Sequence, residues 1–449
     1  MTLRTAFLFP GQGGYLPGVF LHLISSHRTI RDTLDEIDAL AAERSRSPVA
    51  ELLTDKDAPP LQELVETEPA RLHLAIFAAG MATFRLLTEE YGVGCDMVAG
   101  HSFGEITALT AAGVYRLREG AEIVCLRDDA FAECPPPPGG LLALNTGHRR
   151  AAHILGAVDA WDVVIAADNS PEQVVVSGPL AALGRVGSIA ETLGLRATHL
   201  RAPYPFHHPL LAPAAERFAK GVADIPRRTP RVKVFSPLLA REVSTGDDAT
   251  EVVVGHLTRP VRFSDSVRAL RGYDVRRFVE AGPRTTLTDL VVQTVPAVET
   301  LAPLRRRTDS QALRTALLPP GSEVPPAPEA TGVPATSEPV PAPHPDPPPP
   351  GSDSGPSAAQ VLEELREMYA EAVGYPVEVF EPGVELEADL GIDSIQQTEL
   401  FAQIITRHGL AVDRSALRIT NYSTLESVAE LVVSLPHATS GTSSRGSAA

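Results

Sequence analysis

A serine between two glycines, Gly100-x-Ser102-x-Gly104, is the first feature of the sequence that could do chemistry. The apolar residues 97–99 predict the end of a buried strand, and residues 106–112 predict the start of a helix. A sharp strand-to-helix turn strains the serine backbone and presents the hydroxyl, and small neighbours avoid clashes. The N-terminus of the following helix stabilises an oxyanion. The spacing fits a nucleophilic serine, although an ordinary turn serine fits this short pattern equally well.

Two adjacent histidines supply candidate bases for that serine. They lie in residues 204–209, Tyr-Pro-Phe-His-His-Pro, where two prolines predict a rigid loop rather than a helix. A serine hydroxyl is a weak nucleophile until a neighbouring imidazole takes its proton. These residues by themselves leave the role open, because each of the two histidines can also be a surface imidazole.

A third candidate is Arg127, inside a helix predicted over residues 119–133. A guanidinium binds a carboxylate through two parallel N–H···O bonds, whether that of a ligand or that of another side chain. The alternative is that Arg127 pairs with Asp128 or Asp129 on a solvated helix face.

The elements that must position these residues fall within residues 1–317, where short apolar runs alternate with longer helical patterns. That alternation predicts an α/β domain. The first strand, residues 6–9, runs into a glycine-rich turn over residues 11–14 that lacks the Lys-Ser/Thr of a phosphate-binding loop. The turn is therefore expected to face a site with its backbone N–H groups.

A small inserted subdomain is predicted at about residues 140–203. The pattern runs strand, helix, strand, strand, helix, strand, which is the order of a ferredoxin-like unit. Its strands are expected at 141–144, 163–166, 174–177 and 197–200, and its helices near 149–154 and 180–193. Later strands are expected at 232–235, 261–263 and 277–280.

The C-terminal third has a different composition. Residues 318–356 are proline-rich without apolar periodicity, which predicts a flexible, partly extended linker. Residues 357–436 predict a small helix bundle, in which a capping pattern over residues 423–426 opens the last helix. Acidic residues outnumber basic ones 14 to 4 there, so we expect an acidic docking surface. Residues 437–449 are expected to form a disordered tail.

Composition argues against several classes of protein. The net charge of −17 argues against a nucleic-acid partner. No run of about 18 apolar residues occurs, so no membrane span is expected. Cys95, Cys125 and Cys134 lack the spacing of metal ligands or of a disulfide framework. Reduced thiols, no metal site and a cytoplasmic location are the expectation.

Six motifs follow one another along residues 1–317. They are Phe9-Pro10-Gly11-Gln12-Gly13, Gly100-His101-Ser102-Phe103-Gly104-Glu105, Val124-Cys125-Leu126-Arg127, residues 169–178, Pro205-Phe206-His207 and Val279-Glu280-Ala281-Gly282-Pro283. Together they resemble the malonyl-coenzyme A:acyl carrier protein transacylases, including the acyltransferase domains of polyketide synthases. The resemblance implies an α/β-hydrolase-like acyltransferase core with the ferredoxin-like subdomain inserted.

The same resemblance implies roles for individual residues. Ser102 would be the nucleophile and His207 the general base, a dyad whose histidine is oriented by the backbone carbonyl of Arg259. The oxyanion hole would be the backbone N–H groups of Gln12 and Phe103.

The resemblance defines the acyl group less precisely than it defines the catalytic residues. Arg127 would bind the free carboxylate of a malonyl group. Phe206 matches the bulky residue of malonyl-type enzymes, whereas Tyr204 resembles the methylmalonyl-type loop. Malonyl is the favoured acyl group, with methylmalonyl or another dicarboxylic unit as the alternative. Two departures bear on this: Asp128 stands where the family usually has glycine, and Arg71 where a glutamine is usual.

Residues 357–436 resemble acyl carrier proteins. The motif is Leu386-Glu387-Ala388-Asp389-Leu390-Gly391-Ile392-Asp393-Ser394-Ile395. The resemblance implies that Ser394 carries phosphopantetheine as a covalent cofactor, attached by a phosphopantetheinyl transferase.

The resulting hypothesis is an acyltransferase–carrier didomain that takes an acyl group from coenzyme A and passes it to a carrier thiol. Its own carrier is the expected acceptor, because tethering raises the effective concentration to about the millimolar range. A carrier in trans and a ketosynthase of polyketide or fatty-acid biosynthesis are further expected partners. The alternatives are an editing thioester hydrolase and a scaffold with an inactive acyltransferase part.

Overall fold

The computed structural model describes residues 3–317, 358–373, 377, 380, 383–386, 390, 392, 394–408, 410, 422 and 424–435. The chain divides into two units, Met1–Leu317 and Leu318–Ala449. The linker predicted over 318–356 and the tail predicted over 437–449 lie outside the described residues.

Eleven strands of the first unit form two sheets within the described residues. They are β1 (Arg4–Phe9), β2 (Met97–Gly100), β3 (Gly140–Leu144), β4 (Val164–Ser170), β5 (Gln173–Gly178), β6 (Ala197–Leu200), β7 (Lys233–Ser236), β8 (Arg241–Glu242), β9 (Val261–Arg262), β10 (Val275–Glu280) and β11 (Glu299–Leu301). The larger sheet has the order β11-β10-β1-β2-β7-β8 and the smaller one β6-β3-β5-β4-β9.

The helices of the first unit surround these sheets. They are α1 (Arg28–Glu43), α2 (Ala50–Thr54), α3 (Leu61–Thr67), α4 (Pro69–Arg85), α5 (Gly104–Ala111), α6 (Leu117–Glu133), α7 (His148–Ala157), α8 (Leu180–Thr192), α9 (Ala212–Val222), α10 (Gly246–Gly255), α11 (Phe263–Gly272), α12 (Thr286–Thr294) and α13 (Ser310–Leu317). A π-helical turn, Leu86–Glu90, extends α4, and a 3-10 turn, Pro209–Leu211, precedes α9.

The larger sheet is parallel except at its β7–β8 edge. Its central strands β1 and β2 are buried on both faces, which explains their unbroken apolar runs. Helix α4 with its extension, Pro69–Glu90, is long and apolar enough to span a membrane, but 83% of its apolar window is buried inside the domain. It packs as a core helix, because residues 72–83 are all buried.

The smaller sheet is the predicted ferredoxin-like insertion. The elements β3, α7, β4, β5, α8 and β6 follow one another as expected, and β9 adds a parallel strand beside β4. The fold class read from the sequence is therefore confirmed. One detail was wrong: a strand was expected through Phe263, but that residue begins α11.

The second unit contains α14 (Ala358–Val373), α15 (Ser394–His408) and α16 (Leu425–Ser434). Apolar residues from all three helices share one core, including Leu365, Ile404 and Val428. The capping box of α16 is made by Thr424 and Ser427, which shifts it by one residue from the predicted pattern.

Candidate active site

Ser102 lies on a tight turn between β2 and α5. Its φ angle is +57°, in the left-handed region that non-glycine residues rarely adopt. The flanking glycines are required because the turn is crowded. A Cβ on Gly100 would lie 2.2 Å from the Glu105 nitrogen, and one on Gly104 would lie 2.0 Å from the Phe9 oxygen. The structure thus has the strand–turn–helix geometry that the Gly-x-Ser-x-Gly spacing predicts.

His207 reaches this serine from the loop after β6. The Ser102 hydroxyl and His207 Nε2 are 2.6 Å apart. The other ring nitrogen, Nδ1, donates to the backbone carbonyl of Arg259 at 2.9 Å, which leaves Nε2 as the acceptor. His208 faces elsewhere, because its Nε2 donates to the Asp162 carbonyl at 3.0 Å and its Nδ1 accepts from Leu210 N–H at 3.0 Å. Of the two candidate histidines, the structure brings His207 to the serine.

Burial determines the charge state of this pair. His207 is 5% exposed. Desolvation, with a smaller contribution from the positive charge of Arg127, lowers the pKa of its imidazole to about 3 against the opposing effect of the Arg259 carbonyl. The ring is therefore neutral near pH 7, which is the state that accepts a proton.

The glycine-rich turn after β1 lies against Ser102. A Cβ on Gly11 would be 3.0 Å from the His101 oxygen and 3.9 Å from the Phe103 nitrogen. The backbone N–H groups of Gln12 and Phe103 donate to no acceptor in the part of the chain that the structure describes. The Gln12 side chain donates to the Arg201 carbonyl at 3.1 Å, which anchors the turn. Two free donors are thus available on neighbouring backbone segments.

Arg127 is buried under aromatic rings, and only 2% of it is exposed. Its Cζ lies 5.3 Å from the ring centroid of Phe103, 5.0 Å from that of Phe206 and 4.9 Å from that of Phe131. Phe103 follows Ser102 and Phe206 precedes His207, so these two rings connect the guanidinium with the dyad. The structure therefore places Arg127 beside the Ser102–His207 pair and not on a solvated face.

A histidine after α10 orients the guanidinium. Arg127 Nε donates to His256 Nε2 at 2.9 Å, and His256 Nδ1 donates to the Val253 carbonyl at 2.6 Å. Burial and the charge of Arg127 lower the pKa of His256 well below its usual value, so the ring stays neutral and accepts. Burial lowers the pKa of Arg127 to about 10, which leaves it charged near neutral pH. Its Nη2 donates to none of the described residues.

Two further polar side chains contact Arg127. Its Nη1 lies 3.4 Å from Asp128 Oδ1 and 3.3 Å from His73 Nδ1. His73 Nδ1 and Asp128 Oδ1 are 2.8 Å apart. Arg71, the other departure from the family pattern, instead contacts Glu51, Glu68 and the Pro48 carbonyl.

Tyr204 closes the aromatic wall. Its ring centroid lies 4.6 Å from that of Phe131 and 5.8 Å from that of Phe206. Burial and the Asp128 carboxylate raise the pKa of the Tyr204 hydroxyl, so it remains protonated near pH 7. Tyr204 and Phe206 therefore belong to the same aromatic cluster that surrounds Arg127.

Several site residues were not singled out from the sequence. His73 lies in the apolar helix α4 and His256 follows α10, and a single histidine there gives no signal of its role. His101 was quoted only within a motif, yet its Nε2 donates to Asn169 Oδ1 at 2.7 Å. That bond ties the Ser102 turn to β4 of the small subdomain. A cavity of about 270 Å³ adjoins this bond, lined by His101, Asn169, Gln173, Thr286, Leu287, Asp289, Leu290 and Gln293.

In the second unit, Ser394 is the first residue of α15. The side-chain amide of Gln397, which lies one turn after Ser394, donates to the Ile392 carbonyl at 2.8 Å. This bond fixes the start of the helix. The preceding Asp393 lies outside the described residues. Among the residues that the structure does describe, no cluster of three or more His, Cys, Asp or Glu could hold a metal ion.

Two family models match the chain. The acyl transferase domain model matches residues 6–319, and the phosphopantetheine attachment site model matches residues 363–432. The first match covers more than half of the chain and contains every residue of the site described above. The second contains Ser394.

Curated relatives agree with the family models. The spectinabilin polyketide synthase system protein NorB of Streptomyces orinoci is 33% identical over 285 residues, which are 63% of this chain and 13% of that protein. The malonyl CoA-acyl carrier protein transacylase of Escherichia coli K12 is 29% identical over 299 residues, 65% of this chain and 92% of that protein. The chain thus spans only a small part of the polyketide synthases that it matches.

Solved structures give the same result for the fold. The malonyl CoA-acyl carrier protein transacylase from Coxiella burnetii superposes with a TM-score of 0.63 at 26% identity, covering 71% of this chain and 98% of that one. The acyltransferase domain of the second module of the salinomycin polyketide synthase gives 0.62 at 32% identity, covering 71% and 73%.

Proposed function

The chain is an acyltransferase that belongs to the acyl transferase domain family and also carries a phosphopantetheine attachment domain, and from this we propose that it loads a malonyl-type acyl group onto a carrier. The observation that carries the proposal is the 2.6 Å contact between the Ser102 hydroxyl and His207 Nε2, with Arg127 behind it. A hydroxyl, a neutral imidazole and a guanidinium in one pocket suit transfer of an acyl group that has a free carboxylate.

In the first half-reaction, Ser102 Oγ attacks the thioester carbonyl of an acyl-coenzyme A. His207 Nε2 takes the hydroxyl proton as the new C–O bond forms. The tetrahedral intermediate collapses by breaking the C–S bond, and the imidazolium returns its proton to the coenzyme A sulfur. The Arg259 carbonyl holds Nδ1–H throughout, so that Nε2 remains the nitrogen that exchanges the proton.

The negative charge of the tetrahedral intermediate needs hydrogen-bond donors. We assign them to the N–H groups of Gln12 and Phe103, which donate to no other acceptor in the described part of the chain. A donor of this kind is typically worth about 3 kcal/mol of transition-state stabilisation.

The free carboxylate of the acyl group is assigned to Arg127. Its Nη2 is available, while His256 fixes the plane of the guanidinium. Malonyl is the favoured acyl group, and an α-substituted malonyl group such as methylmalonyl is the alternative. Both place a carboxylate one carbon from the thioester, as a pocket with the arginine close to the dyad requires.

In the second half-reaction, a thiol attacks the Ser102 ester and His207 Nε2 accepts the thiol proton. The C–O bond to Ser102 then breaks, and the imidazolium returns the proton to Ser102 Oγ. Phosphopantetheine supplies that thiol when it is bound to the carrier. We assign its attachment to Ser394, which fits because a serine at a helix start combines a hydroxyl with N–H groups that favour a phosphate. The acceptor can be this carrier or one in trans.

Further partners follow from this assignment. A phosphopantetheinyl transferase would modify Ser394, and a ketosynthase of a polyketide or fatty-acid pathway would use the loaded carrier. The cytoplasmic location stays a prediction. An editing hydrolase is the competing function, and water would then replace the carrier thiol as acceptor.

The test offers malonyl-, methylmalonyl- and acetyl-coenzyme A to the holo chain and measures its intact mass and the free acid released. We expect one acyl group on Ser102 and one on the carrier arm, and both dicarboxylic thioesters should load the chain faster than acetyl-coenzyme A does. The Ser394→Ala chain should retain only the Ser102 adduct. Release of free malonate faster than carrier loading would show a hydrolase instead.

A further inference from the structure

The Arg127 end of the pocket contains two buried polar atoms that the transacylation mechanism does not use. Asp128 Oδ2 and His73 Nε2 are shielded from solvent and have no hydrogen-bond partner among the described residues. Both side chains are more than nine-tenths buried, at 8% and 2% exposed. Buried polar atoms without partners are rare in folded proteins, so each requires an explanation.

The chemistry of these two atoms is the same. A carboxylate oxygen only accepts hydrogen bonds, so the 2.8 Å contact with Asp128 Oδ1 places the proton of His73 on Nδ1. In the neutral ring, Nε2 then carries a lone pair. Asp128 Oδ2 and His73 Nε2 are therefore two acceptors in one buried cluster, and a ligand that satisfies them must bring a hydrogen-bond donor.

The position of the cluster relates it to the substrate. Asp128 Oδ1 is 3.4 Å from Arg127 Nη1, so the Asp128 carboxylate contacts the same guanidinium to which the substrate carboxylate is assigned. In a malonyl skeleton, one carbon separates the thioester from the carboxylate, and it is the only carbon that can carry a substituent. A hydrogen-bond donor carried by a malonyl-type group must therefore stand on that α-carbon.

Charge favours the same conclusion. Asp128 already offers one negative charge to Arg127, and an unsubstituted malonyl carboxylate adds a second one in a buried site. Malonyl and methylmalonyl bring no donor to offset this repulsion. A hydroxyl donates a hydrogen bond to the Asp128 carboxylate, and an ammonium group also supplies a positive charge.

We propose that the acyl group is a malonyl unit bearing a hydrogen-bond donor, a hydroxyl or an ammonium, on its α-carbon, and that Asp128 and His73 select it. This rests on the proposed function, since Ser102 must still form the ester. The bonds made and broken are those given above, because the α-substituent takes no part in the transfer.

The test uses the Ser394→Ala chain, so that only the Ser102 ester forms. Malonyl-, methylmalonyl-, hydroxymalonyl- and aminomalonyl-coenzyme A are each offered alone, and coenzyme A release and intact mass are measured. Methylmalonyl is the matched control for hydroxymalonyl, because methyl and hydroxyl are similar in size. A buried hydrogen bond to a charged group predicts an advantage of about tenfold to a hundredfold in kcat/KM for the hydroxyl compound. The aminomalonyl arm shows which donor is preferred.

Two variants sharpen the result. Asp128→Asn keeps the shape of the side chain but removes its charge, and should abolish most of the hydroxymalonyl advantage. The adjacent Asp129→Asn should keep that advantage, because Asp129 pairs with Arg44 and Arg46 outside the pocket. The comparison of the four thioesters leaves Asp128 and His73 unaltered, so the proposal is decided even where Asp128→Asn does not fold.

The outcomes separate the two proposals. Equal or faster acylation by methylmalonyl, with Ser102 still required, would overturn the α-donor proposal and leave the transacylase proposal intact; an ordered water would then be the partner of the two atoms. Acylation that persists in the Ser102→Ala variant, or fails with all four thioesters, would overturn the transacylase proposal itself.

Discussion

The two ends of the pocket are built differently. At the catalytic end, the Ser102 hydroxyl bonds to one nitrogen of His207, and a backbone carbonyl holds the other ring nitrogen. At the other end, Arg127 depends on side chains from α4, α6 and the end of α10, and two buried atoms there have no partner among the described residues.

This difference separates reactivity from selectivity. A backbone carbonyl at position 259 is present whatever side chain the residue carries, so the dyad tolerates substitution around it. The Arg127 cluster is made of side chains that bond to one another, so a change in one residue alters the others. Acyl selectivity can therefore vary while the dyad stays the same.

The largest expected effect is loss of the catalytic end. In Ser102→Ala, the Oγ that forms the ester is absent, so acylation should fall by more than about a thousandfold. Intact mass after incubation with malonyl-coenzyme A measures the adduct. Ser177→Ala is the matched control, because the Ser177 hydroxyl is buried without a hydrogen-bond partner among the described residues and its removal breaks no bond. An acyl adduct of undiminished yield on the Ser102→Ala chain would refute the assignment.

The second-largest effect is expected from a change at the Arg127 end of the pocket. Arg127→Lys keeps a positive charge but loses the fork that binds a carboxylate, so kcat/KM for malonyl-coenzyme A should fall about a hundredfold. Acylation by acetyl-coenzyme A, which has no carboxylate, should change little. The ratio of the two substrates is the readout, because partial unfolding lowers both equally.

The control for Arg127→Lys is Arg44→Lys, which alters a partly buried arginine paired with Glu122 and Asp129 outside the pocket. It should leave the malonyl-to-acetyl ratio unchanged. If Arg127→Lys also left that ratio unchanged, the carboxylate would have to bind elsewhere.

A weaker effect is expected from the residue that positions Arg127. His256→Ala removes the acceptor of Arg127 Nε–H, so the guanidinium is less well oriented and KM for malonyl-coenzyme A should rise about tenfold with little change in kcat. His256→Gln supplies an amide oxygen as acceptor and should restore most of the loss. Equal losses in both variants, or an equal loss with acetyl-coenzyme A, would indicate a purely structural role.

The geometry at Ser102 was easier to predict from the sequence than the contacts of Arg127. The turn at Ser102 depends on neighbouring residues, so its strand, glycines and helix are local signals. The meeting of Ser102 with a histidine 105 positions away was expected only from the resemblance, because no periodicity links such distant residues. The choice of His207 over His208 also came from the resemblance, through the motif Pro205-Phe206-His207, and the structure brings His207 to the serine.

The Arg127 cluster was the least predictable part. The sequence left Asp128 and Asp129 as alternative partners of Arg127 on a solvated helix face. In the structure, the two aspartates have different partners. Asp128 contacts Arg127 in a buried site, whereas Asp129 binds Arg44 and Arg46. His73 was not singled out at all, because its burial follows from how α4 packs against α6, a long-range outcome that residue spacing does not encode.

The smallest expected effect is that of pH on the acylation rate, which should hardly change. An ordinary histidine with a pKa of about 6.5 would be mostly protonated at pH 5, and a base-dependent step would slow about thirtyfold. His207 has its pKa lowered to about 3 by burial, so at pH 5 only about one molecule in a hundred carries the extra proton. Single-turnover acylation of the Ser394→Ala chain by acetyl-coenzyme A should therefore vary less than about twofold between pH 5 and 7.5. Acetyl-coenzyme A isolates the dyad, since it makes no demand on Arg127. A rate that falls on acidification with a midpoint near 6.5 would mean that the imidazole is solvated. The catalytic end would then not be isolated from solvent, and the contrast drawn between the Ser102–His207 pair and the Arg127 cluster would not hold.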